Sequence, residues 1–173
     1  RTLSAENATF NAAEQTFSVS GTVTYRDPEM RIKGRSASVA TAGEASFEGR
    51  SESGHTVVMD GAPEFGGQNR GPRPMELLLL GMGGCTAFDV VLILRKGRQE
   101  ITDCVAHIDA ERAPADPKVF TRIHVHFVVT GRKLDPKRVE QALKLSAEKY
   151  CSASIMLSKT AAVTHDFEIV ETG

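Results

Sequence analysis

Tryptophan is absent from this 173-residue sequence, cysteine occurs only three times, and neither sign of charge is in excess. The net charge is −1 and the basic residues are scattered, which excludes the basic patch that nucleic acid or an acidic membrane surface requires. An odd and low cysteine count excludes the disulfide framework of a small secreted domain. Residues 1–15 are polar and lack the apolar core of a signal peptide, so we expect a cytoplasmic protein.

The longest apolar run, residues 75–94, is long enough to cross a bilayer. It nevertheless contains Glu76 and Asp89, its middle holds three glycines, and no second span follows it. A helix that is apolar on every side in a soluble chain is usually buried in a core or between subunits. We therefore predict a central core helix and not a membrane span.

Hydrophobic periodicity divides the rest of the chain into short strands and two further helices. Alternation of apolar and polar residues predicts strands at residues 17–25, 30–39, 45–50 and 55–60. A loop rich in glycine and proline, residues 61–74, precedes the central helix, which we expect to run from Pro74 to about Lys96. The pattern ends with a hairpin at residues 104–111 and 120–130, a helix capped by Asp135 before Pro136, a short helix at 155–157 and a strand at 163–170. Residues 1–15 have no period and are expected to be loose or peripheral, and the fold class is α+β.

Cys85 follows a helical segment, residues 81–84, that contains three glycines. Each glycine costs a helix about 1 kcal/mol relative to alanine, so a closely packed neighbour or space for a substrate must compensate. Cys151 lies at a break between two helices, where the partial positive charge of a helix start favours a thiolate. The alternative for both cysteines is a small buried hydrophobic side chain, which is the interpretation we prefer for Cys104 in its strand.

The segments around Cys85 and Cys151 resemble the two cysteine boxes of the OsmC/Ohr family. Pro74-Met75-Glu76-Leu77, leading through Gly83-Gly84 to Cys85, is similar to the Pro-x-Glu-Leu…Cys signature of that family. The run Ala147-Glu148-Lys149-Tyr150-Cys151 is similar to its second box, and residues 89–98 and 146–151 resemble the YhfA-like branch in particular. The similarity extends over roughly residues 47–170 and includes the order of the elements.

This resemblance implies an OsmC-like fold, an intertwined homodimer in which antiparallel sheets are wrapped around long central helices. It implies that Cys85, as a thiolate, attacks the O–O bond of an organic hydroperoxide, and that the resulting sulfenic acid condenses with Cys151 to a disulfide. A dithiol reductant, for example a lipoylated protein, then restores the pair by exchange. Glu76 matches the glutamate that helps to orient the site in the family. No cofactor, metal, nucleic acid or membrane is expected to take part.

Two departures from the family pattern concern the reactivity of the site. The strand at residues 55–60 lacks the arginine that pairs with the family glutamate, and spacing does not select a replacement among Arg35, Arg50, Arg70 and Arg73. Ser152 stands where the family has a proline after the second cysteine. The alternative function is therefore a catalytically weak redox sensor, or a binder of an apolar ligand at the dimer interface.

Residues 1–29 lie outside the resemblance, so we divide the chain into an N-terminal extension, residues 1–29, and an OsmC-like domain, residues 30–173.

A redox pair of cysteines also requires a short distance between the two sulfur atoms. The sulfur atoms of Cys85 and Cys151 must lie within about 5 Å of each other, or reach that separation by a small movement.

Three histidines on the predicted hairpin offer a second constellation. His124 and His126 alternate on one strand and point to the same side. If the numbers of paired residues sum to about 231, His107 faces His124 and Asp109 faces Arg122. Three imidazoles on one face could hold zinc, and a solvated polar face is the simpler interpretation. A cysteine hydrolase that uses Cys85 and His165 has no local signature to support it.

Overall fold

The computed structural model describes residues 2–4, 7–11, 16–20, 23–27, 30–34, 37–42 and 45–173, with side chains from residue 37 onward. The chain forms two compact units, Arg1–Glu76 and Leu77–Gly173. The division that we predicted between residues 29 and 30 follows sequence similarity and not compactness, and it stays a prediction.

The first unit is built mainly from two antiparallel sheets. Three strands pair in the order β1 (Thr2–Ser4), β4 (Val23–Asp27), β5 (Met30–Gly34). Five strands pair in the order β2 (Asn7–Asn11), β3 (Thr16–Ser20), β6 (Ala37–Thr41), β7 (Ser46–Ser51), β8 (Thr56–Asp60). The strands predicted at residues 17–25 and 30–39 are each two strands. Residues 1–15, which we expected to be loose or peripheral, contain β1 and β2, and each is an edge strand of its sheet. The described residues of this segment are therefore peripheral and not loose. Strand β1 was not predicted, because its partner β4 is distant along the chain.

The central helix α1 (Pro74–Lys96) begins and ends where the sequence predicts, after a 3-10 turn at Pro63–Phe65 in the preceding loop. Proline at the first helical position needs no intrahelical N–H bond, and the basic residues of the last turn favour the helix end. Side chains at every fourth position of the second half of α1 are buried, namely Met82, Thr86, Val90 and Leu94. One stripe of the helix therefore faces a core.

The second unit contains a three-stranded sheet in the order β11 (Ala162–Glu171), β10 (Phe120–Arg132), β9 (Glu100–Arg112). Strands β9 and β10 form the predicted antiparallel hairpin. Strand β11 differs from the expected antiparallel arrangement, since it pairs with β10 in parallel. Parallel neighbours need a long crossover, and α2 (Pro136–Leu145), a π-helical turn (Ser146–Tyr150) and α3 (Ser152–Leu157) provide it.

The core of the second unit lies on the inner face of this sheet. Four alternating residues of β10 are buried there, as their period predicts: Ile123, Val125, Phe127 and Val129. Helix α2 contributes Val139, Ala142 and Leu143. A Cβ added at Gly83 would lie 2.8 Å from Cδ1 of Ile108, so the glycine allows α1 to approach β9 closely.

The register of the hairpin differs from the predicted one by two residues. His126 lies opposite His107, His124 lies opposite Asp109, and Arg122 bonds Glu111 at 2.9 Å. A shift of two residues leaves every side chain on its original face of the sheet. The alternating pattern is therefore the same in both registers, and it could not distinguish them.

Candidate active site

Cys85 on α1 and Cys151 after the π-helical turn come together in the second unit. Their sulfur atoms lie within 4.8 Å of each other, which is inside the distance that the sequence analysis sets for a redox pair. Both are free thiols. A bonded pair of sulfurs is about 2.05 Å apart, so a modest approach of the two side chains closes the disulfide.

The position of Cys151 is fixed by the π-helical turn. Its backbone N–H donates to the carbonyl of Ser146 at 2.9 Å, a bond that spans five residues instead of the four of an α-helix. The backbone of Cys151 is then extended (φ −74°, ψ 100°), and the residue becomes the N-cap of α3. Its sulfur accepts the backbone N–H of Ser154 at 3.3 Å. The thiol is thus held by the helix start that follows it.

The environment of Cys151 keeps its thiol protonated. Burial of the side chain, which is 0% exposed, and then the hydrogen bond to Cys85 raise the pKa of Cys151 to about 11. The N–H of Ser154 acts in the opposite direction and is outweighed. Our expectation of a thiolate at this helix start is therefore wrong, because the cost of burying the charge exceeds the benefit of the helix end. Cys85 is the more accessible of the two cysteines, being half-buried.

Asp89 is a member of this site that the sequence analysis did not single out. Its carboxylate lies within 4.8 Å of both sulfur atoms. The carboxylate oxygen Oδ2 accepts the hydroxyl of the buried Ser146 at 3.1 Å. The proximity of Asp89 to Cys85 could have been predicted from their spacing, because residues four apart on one helix lie on the same face.

Glu76 lies in the first unit, where it pairs with Arg73. The backbone N–H of Arg73 donates to Oε2 at 2.9 Å and its guanidinium donates to Oε1 at 3.0 Å. These two bonds hold the pKa of Glu76 below its ordinary value, and the backbone bond has the larger effect. Of the candidate arginines, Arg50 instead contacts Glu48 at 3.9 Å, and the side chain of Arg35 lies outside the described residues. Arg73 is thus the described candidate that bonds Glu76.

Asp60 organises the loop that precedes α1, and this role was not predicted from the sequence. The side chain is 1% exposed. Its carboxylate accepts the hydroxyl of Ser46 at 3.0 Å and the backbone N–H groups of Gly61, Gln68 and Arg70 at 2.8–2.9 Å. These bonds, led by that of Arg70, lower the pKa of Asp60. An acid at the end of a strand before a glycine-rich loop is the signal that could have identified it.

A small cavity of about 10 Å³ lies in the core of the second unit, with room for about one water molecule. Its polar lining consists of Thr86, Ser146, Ser154 and His165. The volume is too small for a lipid-like ligand. His165 makes no hydrogen bond to Cys85 within the described part of the chain, so the pair is not arranged as in a cysteine hydrolase.

The three hairpin histidines form a hydrogen-bonded surface and not a metal site. Nδ1 of His126 lies 2.6 Å from Asp166, and Nδ1 of His124 lies 2.9 Å from the hydroxyl of Thr164. His107 stacks on His126 with 6.4 Å between the ring centroids. Among residues 37–42 and 45–173, the potential metal ligands that converge are those of Cys85, Asp89 and Cys151 instead.

Comparison with known proteins identifies the family. The family model described as OsmC-like protein matches residues 67–166. Protein YhfA of Escherichia coli strain K12 is 47% identical over 125 residues, which cover 72% of this chain and 90% of that protein. A solved hypothetical protein from Aquifex aeolicus is 30% identical with a TM-score of 0.68, covering 81% of this chain and 100% of that one.

A more distant solved structure shares the fold. It is titled an organic hydroperoxide resistance protein OsmC, predicted redox protein, from Legionella pneumophila. The two chains are 16% identical with a TM-score of 0.61, and the match covers 79% of this chain and 98% of that one. With matching cysteine boxes, a shared α+β fold and a close relative over most of its length, the chain belongs to the family of OsmC-like proteins.

Proposed function

We propose that this protein reduces organic hydroperoxides, with Cys85 as the peroxidatic and Cys151 as the resolving cysteine. The observation that carries the proposal is the approach of two free thiols, remote in sequence, to within 4.8 Å of each other. The family supports it, because solved neighbours are named for organic hydroperoxide resistance.

The accessibility of the two thiols supports these proposed roles. Cys85 is half-buried, whereas Cys151 is fully buried and keeps its proton. The Cys85 thiolate attacks one peroxide oxygen, so that an S–O bond forms, the O–O bond breaks and the alcohol leaves with a proton. The Cys151 thiol then attacks the sulfenic sulfur, and water leaves as the disulfide forms. A cytoplasmic dithiol, such as a lipoylated protein, returns two electrons by thiol–disulfide exchange.

Treatment of the reduced protein with cumene hydroperoxide tests this function. We expect one disulfide within the chain, between the peptides that carry Cys85 and Cys151, and repeated turnover when excess dihydrolipoamide is present. Peptide mass spectrometry identifies the bond, and loss of the peroxide measures turnover. Thiols that remain unmodified after excess peroxide contradict the proposal. A disulfide that forms with negligible turnover supports the alternative function, a redox sensor.

Glu76 is proposed to orient the site, with Arg73 in place of the arginine that the family has on an earlier strand. The pairing with Arg73 supports this role, because it fixes the carboxylate by two hydrogen bonds and keeps it ionised. A charge held in one place is what an orienting group requires. Arg73 lies in the loop before α1 and not on the strand where the family has its arginine.

Substitution Glu76→Gln is expected to lower kcat/KM by about tenfold to a hundredfold, since a misplaced reactant loses that much. Because the pKa of Glu76 is lowered in the folded protein, the parent carboxylate stays charged at every pH above that lowered pKa. The difference between parent and variant should therefore persist as the pH falls to the ordinary carboxyl range, and disappear only below it. Kinetics over a pH series measure the effect. The matched control is Glu64→Gln in the 3-10 turn, and equal rates for Glu76→Gln and the parent contradict the role.

A second copy of this chain is the partner that we propose for α1. The helix passes the length and composition test for a membrane span, with a mean hydropathy of 2.2, but buried helices of soluble proteins pass the same test. One side of α1 exposes Leu80 at 61%, Phe88 at 64% and Leu92 at 37%. Between them, Gly81 and Gly84 face open space. This stripe of large apolar side chains and glycines suits close packing against the equivalent helix of a partner subunit.

A further inference from the structure

We propose that Cys85, Asp89 and Cys151 of the reduced protein form a binding site for one Zn²⁺ ion. No metal was predicted at these two cysteines, and the inference comes from the arrangement of three side chains in the second unit. It uses the same pair of thiols as the proposed function. It does not depend on peroxide turnover.

The distances between the three groups suit a small tetrahedral ion. Each residue offers one ligand atom, and these atoms lie within 4.8 Å of one another. Zinc binds thiolate at about 2.3 Å and carboxylate at about 2.0 Å, so tetrahedral ligand atoms are about 3.4–3.8 Å apart. An inward movement of about 1 Å therefore completes the coordination. Cys85 and Asp89 share one face of α1, and Cys151 comes from the junction of the π-helical turn and α3.

Neighbouring groups already fix the direction of two of these ligands. The hydroxyl of Ser146 occupies Oδ2 of Asp89, which leaves Oδ1 free of donors within the described residues. The N–H of Ser154 bonds the sulfur of Cys151. Hydrogen bonds of this kind orient metal ligands and are common in the outer shell of zinc sites.

The chemistry of the donors selects zinc. Two thiolates and one carboxylate carry a charge of −3, which a divalent cation reduces to −1, and binding releases the two thiol protons. Thiolates favour Zn²⁺ over Mg²⁺ and Ca²⁺, which prefer oxygen ligands. Three protein ligands leave the fourth position for water. While the ion is bound, both sulfurs are occupied, so zinc binding and attack on a peroxide exclude each other.

Titration of reduced, metal-free protein with Zn²⁺ in competition with a chromophoric chelator tests the site. We expect one ion per chain. Replacing zinc with Co²⁺ should give a thiolate-to-cobalt charge-transfer band and the visible absorption of a tetrahedral ion. Asp89→Asn should weaken zinc binding at least about tenfold, and Cys151→Ser should weaken it further. Cys104→Ser is the matched control and should bind zinc like the parent, because Cys104 lies outside the group of three ligands.

Three outcomes overturn the zinc site: less than one ion per chain, no thiolate band with cobalt, or an Asp89→Asn variant that binds as tightly as the parent. Circular dichroism of each variant shows whether it is folded. Disulfide formation is measured separately, on the parent with chelator and without metal. Disulfide formation without zinc binding overturns the zinc site alone. Zinc binding without disulfide formation overturns the proposed peroxidase function alone.

Discussion

Replacement of Cys85 by serine is expected to lower hydroperoxide consumption at least about a thousandfold, because removal of the attacking group leaves only residual catalysis. The hydroxyl of serine is a far weaker nucleophile than a thiolate. Cys151→Ser should behave differently. It retains the first reaction with peroxide, accumulates the Cys85 sulfenic acid that dimedone traps, and proceeds to sulfinic acid when peroxide is in excess. Peroxide loss and intact-mass spectra of each variant measure both effects.

Cys104→Ser provides the control for these substitutions. Burial, and then the charge of Asp103, raise the pKa of Cys104 to about 11, so this thiol stays neutral near neutral pH, and unlike Cys151 it lies outside the group that Cys85 and Asp89 form. We expect the variant to match the parent in rate and in disulfide. Undiminished turnover in Cys85→Ser would show that another group attacks the peroxide. Turnover equal to that of the parent in Cys151→Ser, with no Cys85 sulfenic acid for dimedone to trap, would show that Cys151 is not the resolving residue.

If the proposed dimer forms through α1, substitution of Phe88 by lysine is expected to convert it to monomers. Burying an unpaired charge at an apolar contact costs about 3 kcal/mol or more, which raises the dissociation constant by at least about a hundredfold. Sedimentation velocity over a concentration series measures the change. Val119→Lys is the control, since Val119 is also apolar and exposed, at 41%, but lies in the connection between β9 and β10. A parent protein that sediments as a monomer, or a Phe88→Lys variant that sediments as a dimer, contradicts the proposed interface.

Features that depend on local pattern could be predicted from the sequence. Helix α1 begins at Pro74 and ends at Lys96, as proline and the basic residues of the last turn indicate. Asp135 caps α2 and accepts the backbone N–H of Lys137 at 2.9 Å. The inner face of β10 was also predicted, because its period follows directly from the backbone of a strand.

Features that depend on distant partners could not be predicted. The parallel pairing of β11 is set by a crossover, and the hairpin register can shift by two residues without changing the pattern. The raised pKa of Cys151 depends on burial, which a single sequence does not give. Asp89 and Ser146 are 57 positions apart, and their hydrogen bond exists only because α1 and the π-helical turn meet. The sequence left four arginines as possible partners of Glu76, and the hydrogen bonds of Arg73 to that carboxylate select it among the described ones.

The π-helical turn before Cys151 makes this part of the chain intolerant of changes in length. An α-helix advances about 100° per residue, so deleting one residue between Ser146 and Tyr150 would restore regular winding and rotate the following sulfur away from α1. The connection between β9 and β10 has no such constraint, because it lies at the tip of a hairpin. Natural insertions and deletions in relatives should therefore accumulate at that tip, while the number of residues from α2 to the second cysteine stays constant.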